Sequence, residues 1–185
     1  MALTPSNMLP LGTKAPNFTL PNVDSVQITL DEISVENGLI VIFMCNHCPY
    51  VIHVIEEIVQ IANHYLPKGI KMVAINSNDV SRYPEDSPVK MKLWSETHHF
   101  PFPYLFDENQ NVAKAYDAAC TPDFYLFNSE LKLVYRGQMD DGRPGNQKPV
   151  DGKYLRLALD NLLNGTAISD IQKPSMGCGI KWKLD

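Results

Sequence analysis

Two cysteines separated by two residues, Cys45 and Cys48, are the part of this sequence best suited to chemistry. They follow an apolar, β-branched run at residues 39–44, which predicts a buried parallel strand. Pro49 suits a first helical turn, and apolar residues recur after it at helical spacing. The sulfurs are therefore expected at a helix N-terminus, where unpaired amides and the helix dipole favour thiolate over thiol. This arrangement predicts a dithiol–disulfide redox centre.

The position of each cysteine suggests its role. Cys45 is expected to be the attacking thiolate, because it lies nearer the helix start, and Cys48 the resolving thiol. Attack on a substrate disulfide would give a mixed disulfide on Cys45, which Cys48 then displaces. His47, if protonated, would stabilise the Cys45 thiolate and make the couple more oxidising. The alternative for His47 is an exposed side chain at a helix start with little effect.

Composition excludes several classes of protein. A length of 185 residues with 44% hydrophobic and 20% charged residues predicts one soluble globular domain. A net charge of -5 without a basic run indicates no nucleic-acid partner. No stretch suits a bilayer and the start lacks a signal pattern, so we expect no membrane association and a cytoplasmic location. A mature form whose signal was trimmed would look the same.

Strands and helices are expected to alternate along the chain. Strands are predicted at 26–30, 39–44, 71–76, 102–106, 124–127 and 131–135, and helices at 31–35, 49–66, 88–97, 110–116 and within 149–163. Residues 1–25 are predicted to form an extended arm, and residues 166–185 a tail without clear periodicity. This order predicts an α/β fold, a single domain over 1–185 with a central mixed β-sheet flanked by helices.

Four segments resemble the thioredoxin-like superfamily, and within it the peroxiredoxin-like, AhpC/TSA (redoxin) branch. They are residues 12–20, the Cys45–Cys48 motif, residues 100–107, and Thr121-Pro122 at the start of a strand. The resemblance extends over nearly the whole chain and implies a three-layer thioredoxin-like fold. It also implies that the Thr121–Pro122 bond is cis and faces the two cysteines, with the Thr121 backbone free to pair with a bound partner.

The resemblance implies a thiol–disulfide oxidoreductase with an antioxidant role, acting on protein or small-molecule disulfides and thiols. No organic cofactor is expected, since the cysteines carry the electrons. The alternative is a thiol-dependent peroxidase that reduces hydroperoxides through a sulfenic acid on Cys45, which Cys48 resolves. True peroxiredoxins carry P-x-x-x-T-x-x-C and an arginine. Here Cys45 stands in the place of that threonine before Cys48, and Arg136 is the arginine available as a substitute.

Two more cysteines are candidate redox thiols. Cys120 lies two residues before Pro122 and is expected near the Cys45 sulfur; the alternative is a small, buried apolar side chain. Cys178 lies between two glycines in a tail segment that resembles one found in the same branch. Its thiol is expected either to reach the redox site or to belong to a mobile, inert end.

A non-enzymatic alternative is a redox-sensing or metal-binding module. A zinc site would combine Cys45 and Cys48 with Cys120 and Cys178, or with His47. Structural zinc sites usually pair two closely spaced couples of ligands, and the sequence has one, so no metal is expected. The oligomeric state is left open.

Overall fold

The computed structural model describes residues 3–184. In chain order its strands are β1 (Leu3–Pro5), β2 (Thr19–Pro21), β3 (Gln27–Thr29), β4 (Gly38–Phe43), β5 (Ile70–Asn76), β6 (Tyr104–Phe106), β7 (Cys120–Thr121), β8 (Asp123–Asn128), β9 (Leu133–Gly137) and β10 (Met176–Gly179). The α-helices are α1 (Pro49–Tyr65), α2 (Pro88–Thr97), α3 (Asn111–Ala115) and α4 (Lys153–Leu163).

Five strands form the central sheet, in the order β6-β5-β4-β8-β9. β4, β5 and β6 run parallel, whereas β8 pairs antiparallel with both β4 and β9. The predicted mixed sheet is therefore confirmed. All six residues of β4 are buried, because this strand lies in the middle of the sheet and both its faces are covered. Burial on both faces explains why its sequence is a continuous apolar run.

Alternate side chains of β4 serve two separate cores. Ile40 and Ile42 pack with residues of α1, α2 and α4 on one face of the sheet. Leu39, Val41 and Phe43 pack with residues of α3 and of the N-terminal segment on the other face. Each such buried side chain stabilises the fold by about 1.5–3 kcal/mol relative to an exposed one. The helices thus flank the sheet as predicted, and the two cores hold β4 and α1 in fixed positions.

One predicted helix is wrong and another is confirmed. In place of the helix predicted at 31–35, the structure has a 3₁₀ turn at Leu30–Glu32. The helix predicted within 149–163 is α4, which begins at Lys153, after Gly152 in the left-handed region at φ 62°. Between residues 3 and 184, no helix is both long enough and apolar enough to span a bilayer.

Both chain ends contain strands that the sequence did not indicate. β10 pairs antiparallel with β1 on one side and with β7 on the other, which makes a second sheet of order β1-β10-β7. The prediction of a tail without regular structure is therefore wrong over β10. Its sequence, Met-Gly-Cys-Gly, has neither β-propensity nor an alternating pattern, so its strand geometry comes from its neighbours.

Candidate functional site

The turn between β4 and α1 carries the two cysteines. β4 ends at Phe43, Cys48 is the N-cap residue of α1, and Pro49 is the first residue of the helix. This is the strand–turn–helix arrangement that the sequence predicts. However, Cys45 and Cys48 are only 1% and 0% exposed, so neither sulfur faces solvent.

Thr121 covers both sulfurs. The Cys48 Sγ lies 3.2 Å from the carbonyl oxygen of Thr121, and the Cys45 Sγ lies 3.6 Å from its Oγ1. The peptide bond between Thr121 and Pro122 is cis, the geometry that the resemblance implies. The structure thus brings these four residues together from two segments more than 70 positions apart.

Asp86, a buried carboxylate that the sequence did not single out, organises the loop between the cysteines. Its Oδ1 accepts hydrogen bonds from the backbone N–H groups of Asn46 at 2.9 Å and His47 at 3.3 Å. Its Oδ2 accepts one from the side chain of Asn78 at 2.8 Å. The loop amides that were expected to stabilise the Cys45 thiolate therefore bind Asp86 instead, and that expectation is wrong.

His47 is paired with Asp86. Its Nδ1 lies 2.6 Å from Oδ2 of Asp86, and since a carboxylate only accepts, Nδ1 carries the proton. This hydrogen bond raises the pKa of His47, and burial opposes the rise. The ring also stacks on Tyr83, with centroids 5.4 Å apart, and its side chain is only 20% exposed. His47 is thus neither the exposed side chain of the bland alternative nor an unpaired cation that acts on Cys45 alone.

The contacts of Cys48 favour its thiolate form. The hydrogen bond from Cys45 lowers the pKa of Cys48 to about 5, with help from Thr121, Cys178 and the Val51 amide, although burial opposes the shift. The Thr121 carbonyl oxygen is an acceptor and also opposes the thiolate, but these four donors outweigh it.

The contacts of Cys45 have the opposite effect. Its hydrogen bond to Cys48, its burial and the negative charge of Asp86 all raise the pKa of Cys45. These contacts favour the thiolate on Cys48, because Asp86 takes the loop amides while the helix N-terminus serves Cys48. The sequence predicts the attacking thiolate on Cys45, and that order of attack stays a prediction.

The other two cysteines differ from each other. Cys178 lies directly opposite Thr121 in the β10–β7 pairing, and Thr121 is the residue that contacts the Cys48 sulfur. Burial, and then its interaction with Cys48, raise the pKa of Cys178 to about 12. Cys120 is buried, its Sγ lies 3.9 Å from the carbonyl oxygen of Pro122, and burial raises its pKa. Cys178 therefore reaches the redox site, whereas Cys120 matches the alternative of a small buried side chain.

Metal-ligating atoms meet in a different set from the one that the zinc hypothesis named. Across residues 3–184, the group whose ligand atoms lie within 4.8 Å of one another is Cys45, His47 and Asp86. The two oxygens of Asp86 already accept four hydrogen bonds, two of them from His47. A metal ion would have to break these bonds, so the donor set fits a hydrogen-bonded cluster better than a metal centre.

Arg136 does not serve the thiols. Its Nε donates to the carbonyl oxygen of Leu9 at 2.9 Å, and its Nη1 donates to the Gln172 side chain at 2.8 Å. The substitution for a peroxide-binding arginine that the sequence left open is therefore wrong for Arg136. Lys181 is a cation whose charge acts on the site, where it opposes the rise in the pKa of both His47 and Cys178.

Comparisons with known proteins match this geometry. A family model described as the AhpC/TSA family matches residues 11–136. The thiol-disulfide oxidoreductase ResA of Bacillus subtilis (strain 168) is 26% identical over 129 residues. That match covers 66% of this chain and 64% of ResA, which is less than two thirds of the relative's length.

Solved structures support the fold. An uncharacterized conserved protein from Geobacillus kaustophilus is 55% identical, with a TM-score of 0.98 over 100% of this chain and 98% of that chain. A putative thioredoxin from Neisseria meningitidis, only 20% identical, has a TM-score of 0.63 over 82% of this chain and 91% of its own. The fold is thus thioredoxin-like. Because the family model matches well over half of the residues, this protein belongs to the AhpC/TSA family.

Proposed function

We propose that this protein is a thiol–disulfide oxidoreductase that cycles Cys45 and Cys48 between dithiol and disulfide. The observation that carries the proposal is that both sulfurs, at the start of α1, contact the same residue, Thr121 of β7. Two thiols that meet at one residue in this way hold a nucleophile and its resolving partner close together. The name of ResA, a thiol-disulfide oxidoreductase, supports the same chemistry.

The reaction has two exchange steps. The Cys48 thiolate attacks one sulfur of a substrate disulfide, forms a mixed disulfide and releases the first substrate thiolate. That thiolate takes the proton of Cys45, whose sulfur then attacks Cys48 and releases the second substrate thiolate. The products are the Cys45–Cys48 disulfide and a reduced substrate, so two electrons pass to the substrate. Reversal of the same steps oxidises a dithiol.

A second candidate, a thiol peroxidase, is favoured by the burial of the sulfurs. A small hydroperoxide needs a narrower path to a buried thiolate than a protein disulfide does. Cys48 holds the position of the peroxiredoxin cysteine; its thiolate would cleave the O–O bond to give a sulfenic acid and an alcohol or water. Cys45 would then form the disulfide and release water. Arg136, the arginine that the sequence offers for peroxide binding, is held by Leu9 and Gln172, so we expect slow turnover.

A turnover assay with matched variants tests both candidates. Reduced protein is mixed with insulin or oxidised glutathione, or with hydrogen peroxide, and product thiols or remaining peroxide are measured. We expect disulfide reduction by the parent, and a loss of at least about a hundredfold in both Cys45→Ser and Cys48→Ser. Cys120→Ser, which removes a thiol facing Pro122, is the control and should keep the parent rate.

Two outcomes would decide against the oxidoreductase. Equal rates in parent and Cys48→Ser would remove the thiol pair from the reaction. Peroxide consumption much faster than disulfide reduction would favour the peroxidase. We also propose a cytoplasmic location, where four thiols stay reduced; fractionation of cells with an antibody to the protein tests it.

A further inference from the structure

Strand β10 lies where an outside polypeptide would have to approach the thiols. β7 is the segment whose Thr121 contacts both sulfurs, and β10 pairs antiparallel with it, Cys178 opposite Thr121. A strand bound at a sheet edge gains its affinity from main-chain hydrogen bonds. The chain's own tail therefore uses the backbone groups that an incoming strand would need.

The approach of β10 to β7 is possible only because of glycine. A Cβ atom on Gly177 would collide with the backbone oxygen of Thr121. A Cβ atom on Gly179, on the other side of Cys178, would lie 3.0 Å from the Thr4 hydroxyl oxygen and 3.9 Å from the backbone oxygen of Ala119. Gly177 therefore allows the tail to sit directly over Thr121. This position leaves Cys178 only 3% exposed and opposite Thr121, whose carbonyl oxygen contacts the Cys48 sulfur.

Both flanks of β10 hold it in place. Ser6 donates its backbone N–H to Ser175 at 2.8 Å, and Ile180 donates to Ala119 at 3.0 Å. Further on, Asp79 donates to the carbonyl oxygen of Lys181 at 2.8 Å. The tail thus covers the site as a paired strand, and its Cys178 thiol lies where the thiol of a bound substrate would lie.

We propose that β10 is an internal substitute for a substrate strand, and that Cys178 exchanges into the oxidised site to form a Cys48–Cys178 disulfide. The proposal rests on the proposed function, because it needs the Cys45–Cys48 disulfide as its starting point. A disulfide-bearing polypeptide must displace β10 in order to react, and the Cys48–Cys178 bond keeps β10 seated after oxidation.

The exchange balances without an outside reagent. The Cys178 sulfur attacks the Cys48 sulfur of the Cys45–Cys48 disulfide, so the Cys48–Cys178 bond forms and the Cys45–Cys48 bond breaks. The proton of Cys178 passes to the departing Cys45 sulfur. No electrons enter or leave, and Cys45 returns to the thiol state while the oxidising equivalent is stored on the tail.

Disulfide mapping of Cys45→Ser tests the covalent step. This variant keeps Cys48 and Cys178 but cannot form the first disulfide. After treatment with oxidised glutathione, mass spectrometry of the digested protein should show Cys48 linked to Cys178 in most chains. A Cys48–glutathione adduct that persists would overturn the proposal. If Cys178→Ser, which cannot undergo the exchange, forms no Cys45–Cys48 disulfide after the same treatment, the proposed function fails instead, which separates the two failures.

Alkylation kinetics of Gly177→Ala test the seating of β10. The added Cβ should displace the strand and raise the rate of Cys48 modification by iodoacetamide at least about tenfold. Gly179→Ala is the matched control in the same strand and should stay within about twofold of the parent. Equal rates in Gly177→Ala and the parent would overturn the proposal. Far-UV circular dichroism shows whether each variant is folded, and the mapping of Cys45→Ser decides the question if Gly177→Ala is not.

Discussion

Asp123 predicts a specific dependence of stability on pH. It follows Pro122 and is fully buried, and its Oδ2 accepts hydrogen bonds from the hydroxyls of Ser6 and Tyr125, both at 3.0 Å. Its Oδ1 has no partner among residues 3–184. Burial raises the pKa of Asp123 from 3.8 to about 7, which its hydrogen bonds only partly oppose.

The sign of the effect follows from this raised pKa. Between about pH 4 and pH 7 the folded protein keeps a proton that the unfolded chain releases, so the free energy of unfolding falls as pH rises. A difference of about 3 pKa units at 1.36 kcal/mol each corresponds to roughly 4 kcal/mol. This stabilisation is complete below the unfolded pKa and is lost by the time pH has passed the folded value.

Asp123→Asn removes the titrating group and keeps an oxygen to accept the two hydroxyls. We expect urea unfolding to show that the free energy of unfolding of the variant rises relative to that of the parent, by roughly 4 kcal/mol between pH 4 and pH 8. Glu108→Gln, at an exposed carboxylate, should follow the parent curve. Parallel curves for Asp123→Asn and the parent would refute the account of Asp123 as a buried, protonated acid.

Two further predictions concern the thiols. Thiolate absorbance of the reduced protein should titrate with a midpoint near the pKa of about 5 of Cys48. Cys48→Ser should abolish this step, and Cys45→Ser should move its midpoint to higher pH. A midpoint near 9 in the parent would contradict the assignment of the thiolate to Cys48. His47→Ala should leave the charge of Asp86 uncompensated and remove the cation that attracts the Cys48 thiolate, which raises the pKa of Cys48 by about one unit and makes the couple more reducing by on the order of 30 mV. Thiolate absorbance and glutathione equilibration measure both; His53→Ala, an exposed change on α1, is the control, and values equal to the parent would refute the role of His47.

The elements with a repeating apolar pattern could be predicted from the sequence. The run at residues 39–44 predicted β4, and the helical spacing after Pro49 predicted α1, because burial of one or two faces requires apolar residues at regular positions. The sequence of β10 has no such apolar pattern. Its position depends on the space at Gly177 and on the edges of β1 and β7, which the local sequence does not contain.

The candidate site was predictable as a set of thiols but not as a distribution of charge. The spacing of Cys45 and Cys48 placed both sulfurs at the start of α1. The amides of the loop between the cysteines donate to Asp86, which lies about 40 positions away in the sequence. The sequence indicated only that Asp86 comes just before α2, and not that it contacts this loop. Long-range hydrogen bonds of this kind influence which sulfur carries the charge, and they cannot be predicted from the apolar periodicity of the sequence.

Charge and access have opposite effects on the reactivity of Cys48. With a pKa of about 5, its thiolate is almost fully formed at neutral pH, so a further drop in pKa would weaken the nucleophile without adding thiolate. Yet the sulfur is 0% exposed. If β10 pairs with β7 as proposed, the rate of reaction with an outside disulfide is set by how often that strand leaves β7. An opening that costs about 3 kcal/mol lowers this rate more than a hundredfold.

A polypeptide that pairs with β7 recovers part of this cost through its own main-chain hydrogen bonds, whereas a small disulfide does not. Selectivity for extended polypeptides over small disulfides therefore follows from the position of the tail, with no specific side-chain pocket required.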